Sequence, residues 1–382
     1  MRYPPNNRIR YGRRNVMRVM ILANNDVGLY KFRKELVEAL LKENEVYICL
    51  PDGDFVEKLV EMGSKFVPCT LLDRHGTNPV QEMKLLAWYK NILKAYRPDI
   101  VFTYTIKPNV YGGMACASQG IPYVVNVTGL GTSVENGGLL QKLTLFLYKY
   151  GLRKAQTVFF QNKYNHQFMR EKEIVGDNCK MLPGSGVNLQ EHCCEPYPSE
   201  EDGIRFLFVG RIMKDKGIEE YLECARRIHE KYPACSFGIV GFYDEENYRP
   251  LIEQYEAEGI VTFYGRQTDV HSFMRSYHAL IQPSYHEGLS NVLLEAAACG
   301  RPVLASDIPG CKETFEEGIS GYGFEVKNPD SLVAAVDKFL ALSRNEREQM
   351  GLCGRQKVER EFSRQIVIDK YFAEIQKVEE KQ

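Results

Sequence analysis

The chain has 382 residues, 44% apolar and 26% charged, with 49 Lys and Arg against 50 Asp and Glu. That length exceeds what one hydrophobic core usually organises, and the composition excludes fibrous, low-complexity and disulfide-stapled classes, so a soluble protein of two domains is expected. The net charge nearly cancels, yet residues 1–190 carry 26 cations against 16 anions, near +10, which leaves 23 against 34, near −11, for the remainder.

Residues 1–16, with Arg2, Arg8, Arg10, Arg13 and Arg14 around Pro4-Pro5-Asn6-Asn7, read as a basic disordered arm, and Met17 reads as an alternative start. The apolar run 19–23 is too short for a signal peptide or a membrane span. No later stretch reaches the roughly 18 apolar residues that a spanning helix needs, so any membrane contact is expected to be peripheral. From there β-rich runs alternate with helical segments. Strands are expected over 18–23, 45–50, 65–67, 100–104, 123–127 and 157–161, and helices over 29–43, 54–62, 79–95, 109–119, 138–153 and 163–173. The pattern restarts after residue 203, with strands over 205–209, 236–240, 261–264, 279–282 and 303–305. Helices over 217–231, 247–258, 269–275 and 290–299 separate them, and two more cover 330–343 and 345–360. Strand–helix–strand spacing of this kind predicts parallel sheets covered on both faces.

Pro183-Gly184-Ser185-Gly186 and residues 193–203, with Pro196 and Pro198, have the composition of a connection. The expected divisions are a first Rossmann-like domain over 17–186, a linker over 187–203, a second such domain over 204–361, and a helix over 362–382 that crosses back to the first. Ligands of wound sheets bind beyond the carboxyl ends of the strands, so the chemistry is expected there, in a cleft between the two lobes.

The eleven cysteines form neither a Cys-x-x-Cys pair nor a metal-like cluster with nearby histidines, and read as reduced thiols in a cytosolic protein. No metal site is expected. Asp52-Gly53-Asp54 has an Asp-x-Asp spacing that is able to hold a divalent cation, but Asp54 is also a good N-cap and Gly53 a good turn residue, and the turn reading is preferred.

Two segments carry chemistry. Residues 206–217, ending in Gly210-Arg211-Ile-Met-Lys-Asp-Lys216-Gly217, place Arg211 and Lys216 just past a strand and ahead of a helix, where two cations suit a diphosphate whose charge grows as it leaves. In residues 287–306, Glu287 precedes an apolar helix and Glu295 lies on it, flanked by apolar residues, where a buried acid needs a partner. Two carboxylates around one glycosidic bond would suggest hydrolysis; beside two cations they read instead as two ends of one phosphorylated ligand.

These segments, together with Gly300-Arg301-Pro302-Val303 and Asp307-Ile308-Pro309-Gly310 followed by Glu313, resemble the retaining nucleotide-sugar glycosyltransferases of family 4. Residues 105–113 and 127–131 are similar to the bacterial subgroup that extends lipid-linked saccharides for capsule, O-antigen or protein glycosylation. The resemblance implies an α/β glycosyltransferase-B fold, with the parallel sheets of two Rossmann-like domains facing across a cleft. It implies that Glu295 binds the ribose hydroxyls, that Glu287 holds the donor sugar, and that Arg211 and Lys216 grip the diphosphate and assist its departure. Gly210, the backbone N–H groups of Ser290, Asn291 and Val292, Gly265-Arg266 beside the base, and Gly28 in the first loop complete the expected donor site.

Lys107, Asn126 and Thr128, at strand ends of the first domain, are the expected acceptor residues. The implied substrates are a nucleotide sugar, UDP by preference, and a polyprenyl-diphosphate-linked saccharide, with no cofactor, metal or nucleic acid. The basic helix over 138–153 is expected either to meet an anionic membrane surface at the cytoplasmic face or to be a core helix with a basic edge. A soluble epimerase or disaccharide synthase of the same fold, or a non-catalytic sugar-binding protein, stands as the alternative.

Overall fold

The computed structural model describes residues 10–11, 14–72, 78–130, 134 and 138–381. The chain divides into two compact units, Met1–Ser185 with Gln365–Gln382, and Gly186–Arg364.

In the first unit seven parallel strands, β1 (Arg18–Leu22), β2 (Glu45–Leu50), β3 (Lys65–Pro68), β4 (Ile100–Tyr104), β5 (Tyr123–Val127), β6 (Thr157–Phe160) and β7 (Cys179–Met181), lie in the order β3-β2-β1-β4-β5-β6-β7. Every residue of β4, β5 and β6 is buried, as in a sheet covered on both faces. The covering helices are α1 (Asp26–Leu41), α2 (Val56–Glu61), α3 (Pro79–Tyr96), α4 (Gly113–Gln119), α5 (Gly138–Leu152) and α6 (Lys163–Glu171). Their starts follow local chemistry: Asn25, Asn78 and Asn162 each cap a helix through the side-chain oxygen, and Pro79 fills the first turn of α3.

The second unit repeats the pattern with β8 (Arg205–Ile212), β9 (Ser236–Tyr243), β10 (Val261–Phe263), β11 (Ala279–Gln282), β12 (Val303–Ser306) and β13 (Gly321–Phe324), all parallel, in the order β10-β9-β8-β11-β12-β13. Its helices are α7 (Ile218–Lys231), α8 (Arg249–Ala257), α9 (His271–Ser276), α10 (Asn291–Ala298), α11 (Pro329–Leu340) and α12 (Arg344–Glu361), the last opened by a reciprocal cap between Ser343 and Glu346. Both sheets start from a central strand, wind to one side, then return to the other, which is the Rossmann order.

The last helix, α13 (Arg364–Glu379), lies almost wholly in the first unit. Its stripe of Val367, Ile368, Tyr371, Ile375 and Val378 is buried in one core with Val19, Ile21, Phe102, Val124 and Phe159. The Tyr371 hydroxyl accepts from Asn126 Nδ2 at 2.9 Å, and the Glu374 carboxylate accepts from Thr157 Oγ1 at 2.8 Å.

Several details differ from the sequence-based expectation. β7 and β13 are absent from the expected strands because Cys-Lys-Met and Gly-Tyr-Gly-Phe are short edge segments without an apolar run. β8 continues to Ile212, so Gly210 and Arg211 end the strand instead of following it. The stretch 187–203 is packed rather than open: Val187 bridges to Ser363, and the buried Arg301 guanidinium donates to the carbonyls of Glu195 and Pro196 at 3.1 and 2.8 Å. In the basic arm, Arg10–Tyr11 and Arg14–Asn15 pair as an antiparallel ladder. Residues 1–9 and 12–13 of that arm, and Gly131 of the 127–131 motif, lie outside the described residues. Among the described residues no helix is long and apolar enough to cross a membrane.

Candidate functional site

β8 and β11 are neighbours at the centre of the second sheet, and the winding reverses between them. Loops leaving the carboxyl ends of two such strands part from each other and open a crevice for ligand. Residues 213–217 leave β8, and residues 283–290 leave β11.

These two loops bring Lys216 and Glu287 together. Lys216 Nζ lies 2.6 Å from Glu287 Oε1, with the two side chains only 18% and 15% exposed. Ser284 Oγ donates to the same carboxylate oxygen at 2.9 Å and accepts from Gln282 Nε2 at 2.7 Å. Charge-assisted bonds in a half-desolvated setting are strong and hold their geometry. The loops are also joined through the backbone, where the Tyr285 N–H donates to the Asp215 carbonyl at 2.9 Å. The Tyr285 hydroxyl donates to Glu220 at 2.7 Å, and burial followed by that carboxylate pushes its phenol pKa up, so it stays a neutral donor.

Gly310 fixes the far side of the Glu287 loop. Its carbonyl accepts from the Ser290 N–H at 2.8 Å and its own N–H donates to Glu313 Oε2 at 2.6 Å. With φ at +85°, a Cβ there would stand 2.4 Å from the Glu287 carbonyl oxygen. Gly310→Ala is therefore expected to shift the Glu287 backbone at a cost of about 1–3 kcal/mol from the left-handed backbone alone. The variant should show a lower melting temperature together with weaker nucleotide-sugar binding in calorimetry; wild-type values for both would show that the loop is not held there.

The other expected donor residues are placed as follows. Arg211 does not join the Lys216–Glu287 pair: its Nη1 lies 2.8 Å from Asp244 Oδ2, and both side chains are more than a third exposed. Gly210 presents its carbonyl so closely to Gly241 that a Cβ on the latter would meet it at 1.8 Å. The Gly265 carbonyl accepts from the Gly241 N–H at 3.0 Å, and the exposed Arg266 lies over the Phe242 ring at 5.5 Å.

On α10, Leu293, Leu294 and Ala296–Ala298 are buried while Glu295 is partly exposed, so the acid sits at the edge of its buried helix rather than wholly inside it. Of the three N–H groups expected as anion donors, that of Ser290 is occupied by Gly310. Ser290 makes no side-chain cap, which leaves first-turn donors at Asn291 and Val292. The Asn291 Oδ1 atom is buried and has no hydrogen-bond partner among the described residues.

In the first unit, Gly28 lies in the first turn of α1, not in a loop, and its N–H is taken by the Asn25 cap at 2.6 Å. Lys107 Nζ pairs with Glu82 Oε1 at 2.6 Å, and Thr128 is partly buried just past β5. Asn126 is 1% exposed and spends its amide on Tyr371 and Gln161, while its carbonyl accepts from Asn109. That side chain is an internal strut and has no surface to offer an acceptor. The same loop after β4 is irregular, with Thr105 at φ +71° and a π-turn over Pro108–Gly112. A β-branched residue in that region stores strain of a kind that gathers at ligand sites.

Asp52 accepts from the Gly53 N–H, both flanking carboxylates are exposed, and α2 starts from Phe55, whose N–H donates to Asp26. Asp54 is thus a turn residue but not the cap. Sequence reasoning missed Gln282, Ser284 and Asp244 as partners of the charged groups; a polar Gln-Pro-Ser at the end of an apolar strand was the available signal.

Residues 18–162 match the family Glycosyl transferase 4-like, and residues 194–357 match Glycosyl transferases group 1. The chain is 26% identical over 341 residues, 85% of itself and 89% of the relative, to the N,N'-diacetylbacillosaminyl-diphospho-undecaprenol alpha-1,3-N-acetylgalactosaminyltransferase of Campylobacter jejuni. It is also 26% identical, over 80% of itself and 83% of the relative, to the UDP-Gal:alpha-D-GlcNAc-diphosphoundecaprenol alpha-1,3-galactosyltransferase of Escherichia coli. In structure it is similar to Anabaena HepE, solved in complex with UDP and glucose, with a TM-score of 0.78 at 17% identity over 94% of this chain and 99% of that one.

Proposed function

With a glycosyl transferase 4-like domain followed by a group 1 domain, the chain belongs to the two-domain glycosyltransferases, and we propose that it moves a hexose or N-acetylhexosamine from a UDP-sugar to a polyprenyl-diphosphate-linked saccharide. The observation that carries this is the Lys216–Glu287 pair at the switch point of the second sheet. A cation and a carboxylate side by side match the two halves of a sugar diphosphate: ammonium for the bridging phosphate, carboxylate for the sugar hydroxyls. Arg211 leaves Asp244 to meet the outer phosphate, the first-turn N–H groups of α10 add donors, and Glu295 accepts from the ribose. The anomeric carbon–oxygen bond breaks with its electron pair leaving on the diphosphate. The acceptor hydroxyl then bonds to the same face of that carbon and gives its proton to the departing phosphate oxygen. Fixed cations meet the developing charge, so transfer proceeds without a divalent metal.

The acceptor is assigned by its chemistry. Two relatives are named for undecaprenyl-diphosphate-linked sugars. On α5, Leu139, Leu140, Leu143, Phe146 and Tyr150 are exposed, with Lys142 and Lys149 exposed among them. Such an apolar ridge with cations suits the headgroup layer of an anionic leaflet and supports the reading of a peripheral protein at the cytoplasmic face of the membrane. Lys107, in the strained loop after β4, and Thr128, just past β5, are the proposed contacts for the acceptor.

The test is nucleotide release from a panel of UDP- and GDP-sugars, with and without a polyprenyl-diphosphate saccharide, in excess chelator. One UDP-hexose or UDP-N-acetylhexosamine should release UDP only with the lipid-linked acceptor. Release that no such acceptor stimulates would sink the acceptor class, and dependence on added magnesium or manganese would sink the metal-free step. With acceptor in anionic vesicles, Leu143→Ser with Phe146→Ser should slow transfer, while a short-chain soluble acceptor should be used at the wild-type rate. Equal rates in both would remove the membrane face.

A further inference from the structure

His192-Cys193-Cys194-Glu195 lies in the packed stretch 187–203 near the start of the second unit. Its backbone is fixed, because the Glu195 N–H donates to the Cys299 carbonyl at 3.2 Å and Arg301, 1% exposed, donates to the carbonyls of Glu195 and Pro196. His271, the first residue of α9, meets this stretch from 76 positions away in sequence.

Three donor atoms of different kinds converge there. Cys193 Sγ is 3.3 Å from Glu195 Oε1 and 3.8 Å from His271 Nε2, and Glu195 Oε1 is 3.0 Å from His271 Nε2. A tetrahedral ion bound at about 2.3 Å to sulfur and about 2.0–2.1 Å to nitrogen and oxygen would hold these atoms roughly 3.3–3.6 Å apart. Shifts of a few tenths of an ångström bring the triangle to that geometry. The ring is also oriented from behind: His271 Nδ1 lies 3.1 Å from Cys299 Sγ. With the Nδ1 proton directed at that sulfur, the Nε2 lone pair points at Cys193 and Glu195, which is how an outer partner fixes a metal-binding tautomer.

A second grouping, His192 with His271 and Cys299, shares the imidazole. It is the weaker choice because Cys299 is buried, away from an entering ion. Cys193 is exposed, so an ion can enter.

We propose that Cys193 Sγ, Glu195 Oε1 and His271 Nε2 form a site for a zinc(II)-class ion, its fourth position open to water, which staples the start of the second unit to α9. Sulfur and imidazole ligands select such an ion over magnesium or calcium. None of the three residues belongs to the proposed donor site, so the inference stands apart from the glycosyl-transfer reading. The site acts on stability: an ion that binds only the folded unit raises its melting temperature.

The test is a cobalt(II) titration of the full-length, reduced, metal-stripped protein. It should give a thiolate-to-cobalt charge-transfer band at one equivalent, displaced by zinc(II), and zinc(II) should raise the melting temperature of the stripped protein. Cys193→Ser should abolish the band, and His271→Ala should weaken zinc(II) binding by at least about 10–100-fold, while Cys194→Ser keeps both. No band, a band that survives Cys193→Ser, or a band lost only in Cys299→Ser would each overturn the assignment. The last two would move the metal elsewhere, and the first would leave a hydrogen-bonded triad alone.

Discussion

Lys216→Ala should lower kcat by about 10²–10³-fold, the loss seen when one preorganised donor to a developing oxyanion is removed. The ammonium is mostly screened from water and fixed by Glu287, so it needs no reorganisation when the diphosphate departs. The interaction strengthens as charge develops, so the loss falls on kcat and far less on KM for the donor. Glu287→Gln removes the charged partner of Lys216 and weakens the proposed sugar contact together. Because Lys216 and Glu287 act as one unit, the double variant should lose much less than the product of the two single losses. Arg211→Ala should cost less than Lys216→Ala, since its guanidinium is paired with Asp244 at a more exposed place and must be recruited. Glu295→Ala should mainly raise the donor KM, as its proposed contact with ribose is present before and during the reaction. Steady-state kinetics on the four single variants and the double variant checks this order. Wild-type kcat in Lys216→Ala, or strictly multiplicative losses in the double variant, would remove the pair from the chemistry.

The parts of this arrangement that were legible in sequence are those encoded locally. Alternating apolar strands and capped helices gave the two wound sheets, because a fully buried parallel strand needs an unbroken run such as Tyr123–Val127. Edge strands with little to bury, such as Gly321–Phe324, left no such run. Lys216 and Glu287 were individually visible as charges after strands, but their contact depends on the adjacency of β8 and β11, which no local pattern states. The same holds for the clamp of Gly310 on Glu287 and for the contact of Tyr285 with Asp215. Asn126 shows the opposite error: a polar residue at a strand end looks like a ligand group until Tyr371, 245 positions on, is seen to take its amide. The Cys193–Glu195–His271 triangle was hidden for that reason as well, with two of its members two positions apart in sequence and the third on α9.

Glu374→Gln should weaken the docking of α13 at neutral pH and remove most of its acid sensitivity. The carboxylate is 0% exposed, and it accepts from Lys180 at 2.7 Å, Lys377 at 2.8 Å, Thr157 at 2.8 Å and Gln156 at 3.0 Å. Burial by itself would raise its pKa, but these donors outweigh that and hold it at about 2. A carboxyl depressed in the folded state contributes stability that is complete above its unfolded value, about 4.3. That contribution is lost as pH falls from there toward 2. The linkage is on the order of 2 kcal/mol once the screening of two half-exposed ammonium groups is allowed for. Acid should therefore release α13 from the first unit, with the Asn126–Tyr371 contact opening with it, before the sheets themselves unfold. Hydrogen exchange of the α13 amides in the wild type should quicken steeply from pH 5 to pH 3 after correction for the intrinsic rate. In Glu374→Gln the same amides should be less protected at pH 7 and nearly flat over that window. Matching pH slopes in the two proteins would show that this carboxylate does not hold the helix.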